Sequence, residues 1–283
     1  MRLGGPLFEK YNNPEEWVQY LKKHNYTAAY CPVDNSASDD LIEAYVDLAK
    51  RENIVIAEVG AWSNPLSPDT SIRRSAIEFC QKQLYLADRI SALCCVNIAG
   101  SRGEKWDGPH PLDLTEETFE MIVDTVRTII DGVNPIRTFY ALEPMPWMYP
   151  DSADSYLELI RAIDRKHFAV HLDMVNLINS PERYFNNTSF IKETVRKLSP
   201  YIKSCHVKDV TMSDTFIVHL SEVQPGLGRL DYRTLLKELD GLPQDVPIMM
   251  EHLHSDEEYR NAESCIRSVA KDVGVSLEGK TEH

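Results

Sequence analysis

Residues 138–173, TFYALEPMPWMYPDSADSYLELIRAIDRKHFAVHLD, decide the fold. They hold an apolar run at 138–144, an amphipathic helical period at 152–167 opened by the capping residue Ser152, and a second apolar run at 168–173. Short unbroken apolar runs are how parallel strands covered on both faces read, and a helix between two of them makes a strand–helix–strand unit. The runs carry the carboxylates Glu143 and Asp173 at their ends. A charge at the end of a buried strand is costly unless it is paired or coordinated, so both ends call for a partner.

The same alternation extends in both directions. Apolar runs at 1–7, 26–33, 53–62, 91–100, 202–209 and 246–253 alternate with helical periods at 14–25, 39–52, 71–90, 115–133, 190–201, 231–242 and 255–274. Eight strand–helix pairs predict a single α/β domain over residues 1–283, a (β/α)8 TIM barrel. No Gly/Ser- or Pro-rich linker divides the chain, and barrels of this length fold as one unit. The competing fold is an open doubly wound sheet, and Gly4-Gly5-Pro6 does not supply its phosphate-binding fingerprint.

Barrels carry their chemistry at the C-terminal ends of the strands. The run at 202–209 brings His206 there and the run at 246–253 brings Glu251, so predicted strands five to eight place Glu143, Asp173, His206 and Glu251 on one rim. Such a set predicts one shared divalent cation. Three carboxylates and an imidazole suit manganese, magnesium or cobalt, with zinc compatible. Residues two apart on a strand share a face, which puts His171 beside Asp173 and Lys208 beside His206. Removing a proton next to a carbonyl needs a base, a charge facing the developing enediolate and a group that returns the proton, and a cation flanked by two glutamates offers all three.

These motifs, LEP at Glu143, HLD at Asp173, HVKD from His206 to Asp209, PGLGRLDY ending at Tyr232 and MEH at Glu251, resemble those of the xylose isomerase-like barrels. That family includes ketose 3-epimerases, inosose dehydratases and hydroxypyruvate isomerases, and the resemblance covers nearly the whole chain. It implies that Glu143, Asp173, His206 and Glu251 bind one divalent ion, manganese foremost. It also implies that Glu143 and Glu251 act as acid and base on opposite faces of a sugar or keto-sugar, in an isomerase or epimerase. The ketose 3-epimerase pattern has a further glutamate, a histidine and an arginine where this chain has Tyr149, Asn176 and Met212. Metal-dependent dehydration of a keto-polyol, with Lys208 or His171 taking part, therefore stays open, as does a non-catalytic sugar-binding barrel. A related barrel family cuts abasic sites with three zinc ions, a chemistry that asks for more histidine ligands than these motifs place.

Composition sets the outer limits. A chain that is 43% hydrophobic and 26% charged is an ordinary globular protein with a sizeable core. A formal net charge of −14 argues against nucleic acid and anionic membrane partners and favours a small uncharged or weakly charged ligand, which the resemblance makes a carbohydrate. No apolar run approaches the ~20 residues of a membrane span, and MRLGGPLFEKYNN lacks a secretory pattern, so a cytoplasmic location is expected. Cys31, Cys80, Cys94, Cys95, Cys205 and Cys265 show no CxxC spacing and read as reduced core residues, and the sequon at Asn187 then meets no glycosylation machinery.

Trp62, Trp106 and Trp147 follow predicted strands three, four and five, where their rings are candidates to stack on a sugar, while Asn97 and Glu58 are candidates to hydrogen-bond its hydroxyls. The loop at 97–103 with Arg102 is a weaker candidate for holding an anion. His219 and His254 read as solvated loop residues, His252 as pointing away from Glu251, and Asp209 as an ion-pairing neighbour of Lys208. Phe185, Tyr184 and Trp106 are the residues expected to meet a second copy in a homo-oligomer.

Overall fold

The computed structural model describes residues 1–280. Its strands are β1 (Arg2–Gly4), β2 (Ala28–Tyr30), β3 (Val55–Gly60), β4 (Cys94–Asn97), β5 (Phe139–Leu142), β6 (Phe168–Asp173), β7 (Ile202–Val207), β8 (Asp209–Met212), β9 (Leu220–Val223) and β10 (Pro247–Met250). All but β8 and β9 lie parallel in one sheet, ordered β1-β10-β7-β6-β5-β4-β3-β2. The Thr27 N–H donates to the Leu3 carbonyl at 3.0 Å, joining β2 to β1 and curling the sheet into a nearly closed barrel.

Around it run α1 (Pro14–Lys23), α2 (Asp39–Arg51), α3 (Thr70–Arg89), α4 (Glu116–Val133), α5 (Ala153–Ile163), α6 (Met174–Leu177), α7 (Pro181–Phe185), α8 (Asn187–Leu198), α9 (Tyr232–Asp240) and α10 (Asp256–Val273). Helix α5 shows why these segments form where they do. Ser152 and Ser155 cap one another's backbone N–H groups in a capping box, worth about 1 kcal/mol. Tyr156, Leu159 and Ile163, spaced along one face, are buried against the sheet. The Tyr156 hydroxyl then donates to the carbonyls of Leu142 and His171, so the helix pins β5 to β6 beneath the rim.

Mostly small residues fill the lumen in two patches, Cys94, Val96, Ala141 and Ala169 in one, and Ala28 and Ala57 around Met249 in the other. That leaves the upper barrel to polar side chains. A shift in register between β2 and β3 at Ala29/Tyr30 lets Glu58 as well as Ala57 turn inward, an irregularity that strand alternation does not anticipate.

The run expected at 202–209 is not one strand. The barrel strand ends at Val207, and the chain leaves the sheet as β8, which pairs antiparallel with β9 from Asp209↔Val223 to Met212↔Leu220. The tip of this hairpin exposes Phe216, Ile217 and Val218. The two short helices α6 and α7 were not expected either, and α8 begins at Asn187 rather than at 190. All six cysteines are free thiols. Among the described residues, no helix is long and apolar enough to cross a membrane.

Candidate active site

At the ends of β5, β6, β7 and β10, Glu143, Asp173, His206 and Glu251 each turn a ligand atom inward, all within 4.8 Å of one another. His206 is the hub. Its Nδ1 lies 3.1 Å from Glu143 Oε1 and 2.8 Å from Glu251 Oε2, while its Nε2 lies 3.0 Å from Glu58 Oε1 on β3. Asp173 Oδ1 accepts the Asn176 backbone N–H at 2.9 Å, where the chain turns into α6. Its other oxygen is buried and accepts no hydrogen bond, although the Lys208 ammonium lies 2.9 Å away. Lys208 Nζ donates to Glu251 Oε1 at 2.6 Å and lies 3.3 Å from Glu222 on β9.

Electrostatics follow from this crowding. Burial and the charge of Glu251 push Glu143 up to about 7. Burial acts the same way on Glu251, but His206 and Lys208 outweigh it and hold that carboxyl well below its usual range. Burial would discharge His206 and Lys208, yet the surrounding carboxylates keep both well above their ordinary values. For His171, burial together with the neighbouring His206 outweighs the pull of Glu251 and keeps the imidazole well below its ordinary value.

The donor set fits a divalent cation. Three carboxylates and one imidazole nitrogen converge, Asp173 contributes a buried oxygen without a hydrogen bond, and Glu58 fixes the His206 ring so that Nδ1 faces the other ligands. Above them opens a cavity of about 530 Å³. Trp62, Trp106 and Trp147 line it together with Lys208, Glu222 and His252. The Trp62 ring lies 6.3 Å from that of His206, and Trp147 Nε1–H donates to the Asp107 carbonyl at 3.0 Å.

Of the residues singled out from sequence, Glu58, Trp106, Trp147 and Lys208 border this cavity with Glu143, His206 and Glu251, and Asp173 closes the ligand set behind Lys208. Two do not reach it. Asn97 alternates with the lumenal Val96 and so faces α3, where its amide bonds Ser63 and Cys80. His171 is sealed below His206, its ring edge-on at 4.0 Å and its Nδ1 hydrogen-bonded to the Ser204 hydroxyl.

Neighbouring expectations also need correction. His252 does not point away, because the strand has ended at Met250 and a left-handed φ of 57° turns the ring back over the mouth, 2.9 Å from Glu222. Asp209 takes no part in an ion pair with Lys208. Its carboxylate accepts the backbone N–H groups of Val210, Gly226, Gly228 and Leu230, and so folds the PGLGRL loop around itself. The amide of Arg102 is taken by Asp113 rather than left for an anion, and its guanidinium by Thr118. Tyr184 is buried, leaving Phe185 and Trp106 exposed from the expected contact group.

The sequence reading missed Glu222, since it assigns no strand between 209 and 231, where β9 forms. Asn176 stands in the cavity wall, its amide 3.0 Å from the Pro144 carbonyl, whereas Tyr149 turns outward to Leu114 and Phe119.

The family model described as xylose isomerase-like TIM barrel matches residues 17–269. The D-psicose 3-epimerase of Clostridium cellulolyticum H10, crystallised with D-tagatose, superposes with a TM-score of 0.71 at 14% identity, over 98% of this chain and 100% of that one. The probable 3-DHS dehydratase of petrobactin synthesis from Bacillus anthracis gives 0.69 at 14% identity, over 95% and 98%. A xylose isomerase-like TIM barrel protein from Mycobacterium smegmatis, in complex with magnesium, gives 0.65 at 16% identity, over 94% and 90%. At these identities the likeness is one of fold. No curated protein matches the chain.

Proposed function

Because the chain belongs to the xylose isomerase-like TIM barrel family, we propose that it is a divalent-metal-dependent enzyme that isomerises or epimerises a sugar or keto-sugar. The observation that carries this reading is the pair Glu143 and Glu251, set about the same His206 nitrogen and open to one cavity. A binding protein has no need of two such carboxylates. When held by Glu143, Asp173, His206 and Glu251, a divalent ion, manganese foremost, supplies the positive charge that an enediolate oxygen requires. Glu251, kept ionised beside Lys208 and His206, removes the proton from the carbon next to the carbonyl. Glu143 returns a proton from the other side, and exchange with solvent through the open cavity restores both carboxyls before the next turnover. Glu58 orients the His206 ring, and Lys208 Nζ offers a hydrogen bond to a substrate hydroxyl.

A second reading rests on Lys208. Its ammonium lies 2.6 Å from Glu251, close enough for the same proton abstraction to be followed by donation to a β-hydroxyl, which leaves as water as the carbon–oxygen bond breaks. Asn176 at the epimerase histidine position favours neither outcome, since an amide carries no proton for transfer.

Manganese-loaded protein incubated with a panel of ketoses and keto-sugars in deuterated water separates the readings by NMR. Deuterium entering the carbon beside the carbonyl with all hydroxyls kept supports the epimerase. Loss of a hydroxyl with a conjugated product moves the assignment to a lyase. Neither event with any sugar, from protein that holds manganese, defeats catalysis and leaves a sugar-binding barrel.

A further inference from the structure

The cavity above the metal ligands does not stop at its own wall. Its floor is polar, with Glu143, His206, Lys208 and Glu251, and its mouth is ringed by Trp62, Trp106 and Trp147, which are 41%, 36% and 37% exposed. Trp62 and Trp106 also line a second hollow of about 510 Å³, which continues outward over the first turns of α3. Ile72, Phe79, Ser71 and Ser75 help to complete that hollow, and no charged side chain lines it. A free monosaccharide bound at the carboxylates leaves these indole faces in water. Large aromatic faces at the opening of a polar site favour a flat partner, either an arene or the C–H face of a pyranose. A phosphate tail is a poor occupant, because the outer hollow offers it no cation.

Resting on the reading of the inner site given above, we propose that the substrate is a glycoside whose reacting ring carries a ketone, since the glycosidic acetal itself offers no carbonyl for that chemistry. Its reacting sugar lies over Glu143 and Glu251, and an uncharged second ring, joined through the glycosidic oxygen, stacks on Trp62 and Trp106 and enters the outer hollow. Trp147, pinned to the Asp107 carbonyl next to Trp106, also borders the mouth. The two rings thus meet two different chemistries, carboxylates and cations inside, indoles and serine hydroxyls outside.

The test is calorimetric titration of the whole protein, manganese-loaded and again after EDTA. The probes are the methyl and phenyl glycosides of glucose, galactose and mannose, with cellobiose added. At least one sugar gains tenfold or more in affinity when phenyl replaces methyl. Trp106→Ala abolishes that gain, Trp106→Phe keeps most of it, and Phe185→Ala, away from both hollows, leaves it unchanged. Cellobiose binding as tightly as the phenyl glucoside identifies the outer ring as a second sugar, and a gain confined to phenyl identifies an aromatic aglycone. A gain that survives EDTA, in protein that catalyses no exchange, keeps the outer subsite and sinks only the inner reading. Equal affinities for methyl and phenyl partners across all three sugars overturn the proposal. So does a gain untouched by Trp106→Ala, or no binding by any probe.

Discussion

Glu58 lies 85 residues before the first of the four candidate rim ligands, yet its carboxylate aims the His206 imidazole at the centre of the set. A carboxylate behind a ligating histidine raises the ring's basicity and fixes its orientation, and losing such a partner typically weakens metal binding about 10–100-fold. Glu58→Gln is therefore expected to lower manganese affinity by that factor with little change in melting temperature, read by calorimetry; unchanged affinity would reject the role. Protonation enters at the same scale. The surrounding carboxylates hold His206 well above its usual value, so it keeps a proton near neutrality that a cation must displace. Metal affinity should accordingly fall as pH drops below 7, with proton release seen as a buffer-dependent binding enthalpy. The four candidate ligands were legible because each follows an apolar run, where a charge needs an explanation. His252 and Asn97 were misplaced because alternation applies only inside a regular strand, and because it fixes a side chain's face only once one neighbour's direction is known.

At the level of elements, the hairpin β8–β9 and the loop at 225–230 are organised by one buried carboxylate. Asp209→Ala would strand four backbone N–H groups that now point at it. The expected loss is about 2–3 kcal/mol in urea unfolding, the scale of unsatisfied buried donors. Gly228→Ala should also destabilise, because an added Cβ would lie 2.2 Å from Asp209 Oδ1 and 2.6 Å from the Val210 nitrogen. A Gly228→Ala protein as stable as the parent would contradict that packing. The barrel strands and main helices were readable from apolar runs and helical periods, since those patterns report burial directly. The hairpin was not, because Val207-Lys208-Asp209 keeps an extended backbone while changing sheets, and nothing in residue type marks the place where pairing partners change. Glu222 became visible only when that change of partner was known.

For the molecule as a whole, a cation site assembled from the ends of four strands exists only in the folded barrel, so ligand binding and stability are linked. A cation that binds only the folded chain stabilises it by about 2.7 kcal/mol at a hundred times its dissociation constant, which for a barrel of this length is roughly 4–8 °C in melting temperature. Manganese should raise the transition by that amount and EDTA should return it; a transition indifferent to manganese would argue against a specific site. The barrel also separates two jobs in space. The candidate ligands stand at the ends of β5, β6, β7 and β10, while Trp62 and Trp106 come from the loops after β3 and β4. Those loops can be exchanged, by evolution or in a combinatorial library, to admit new ligands while the reaction centre is inherited intact.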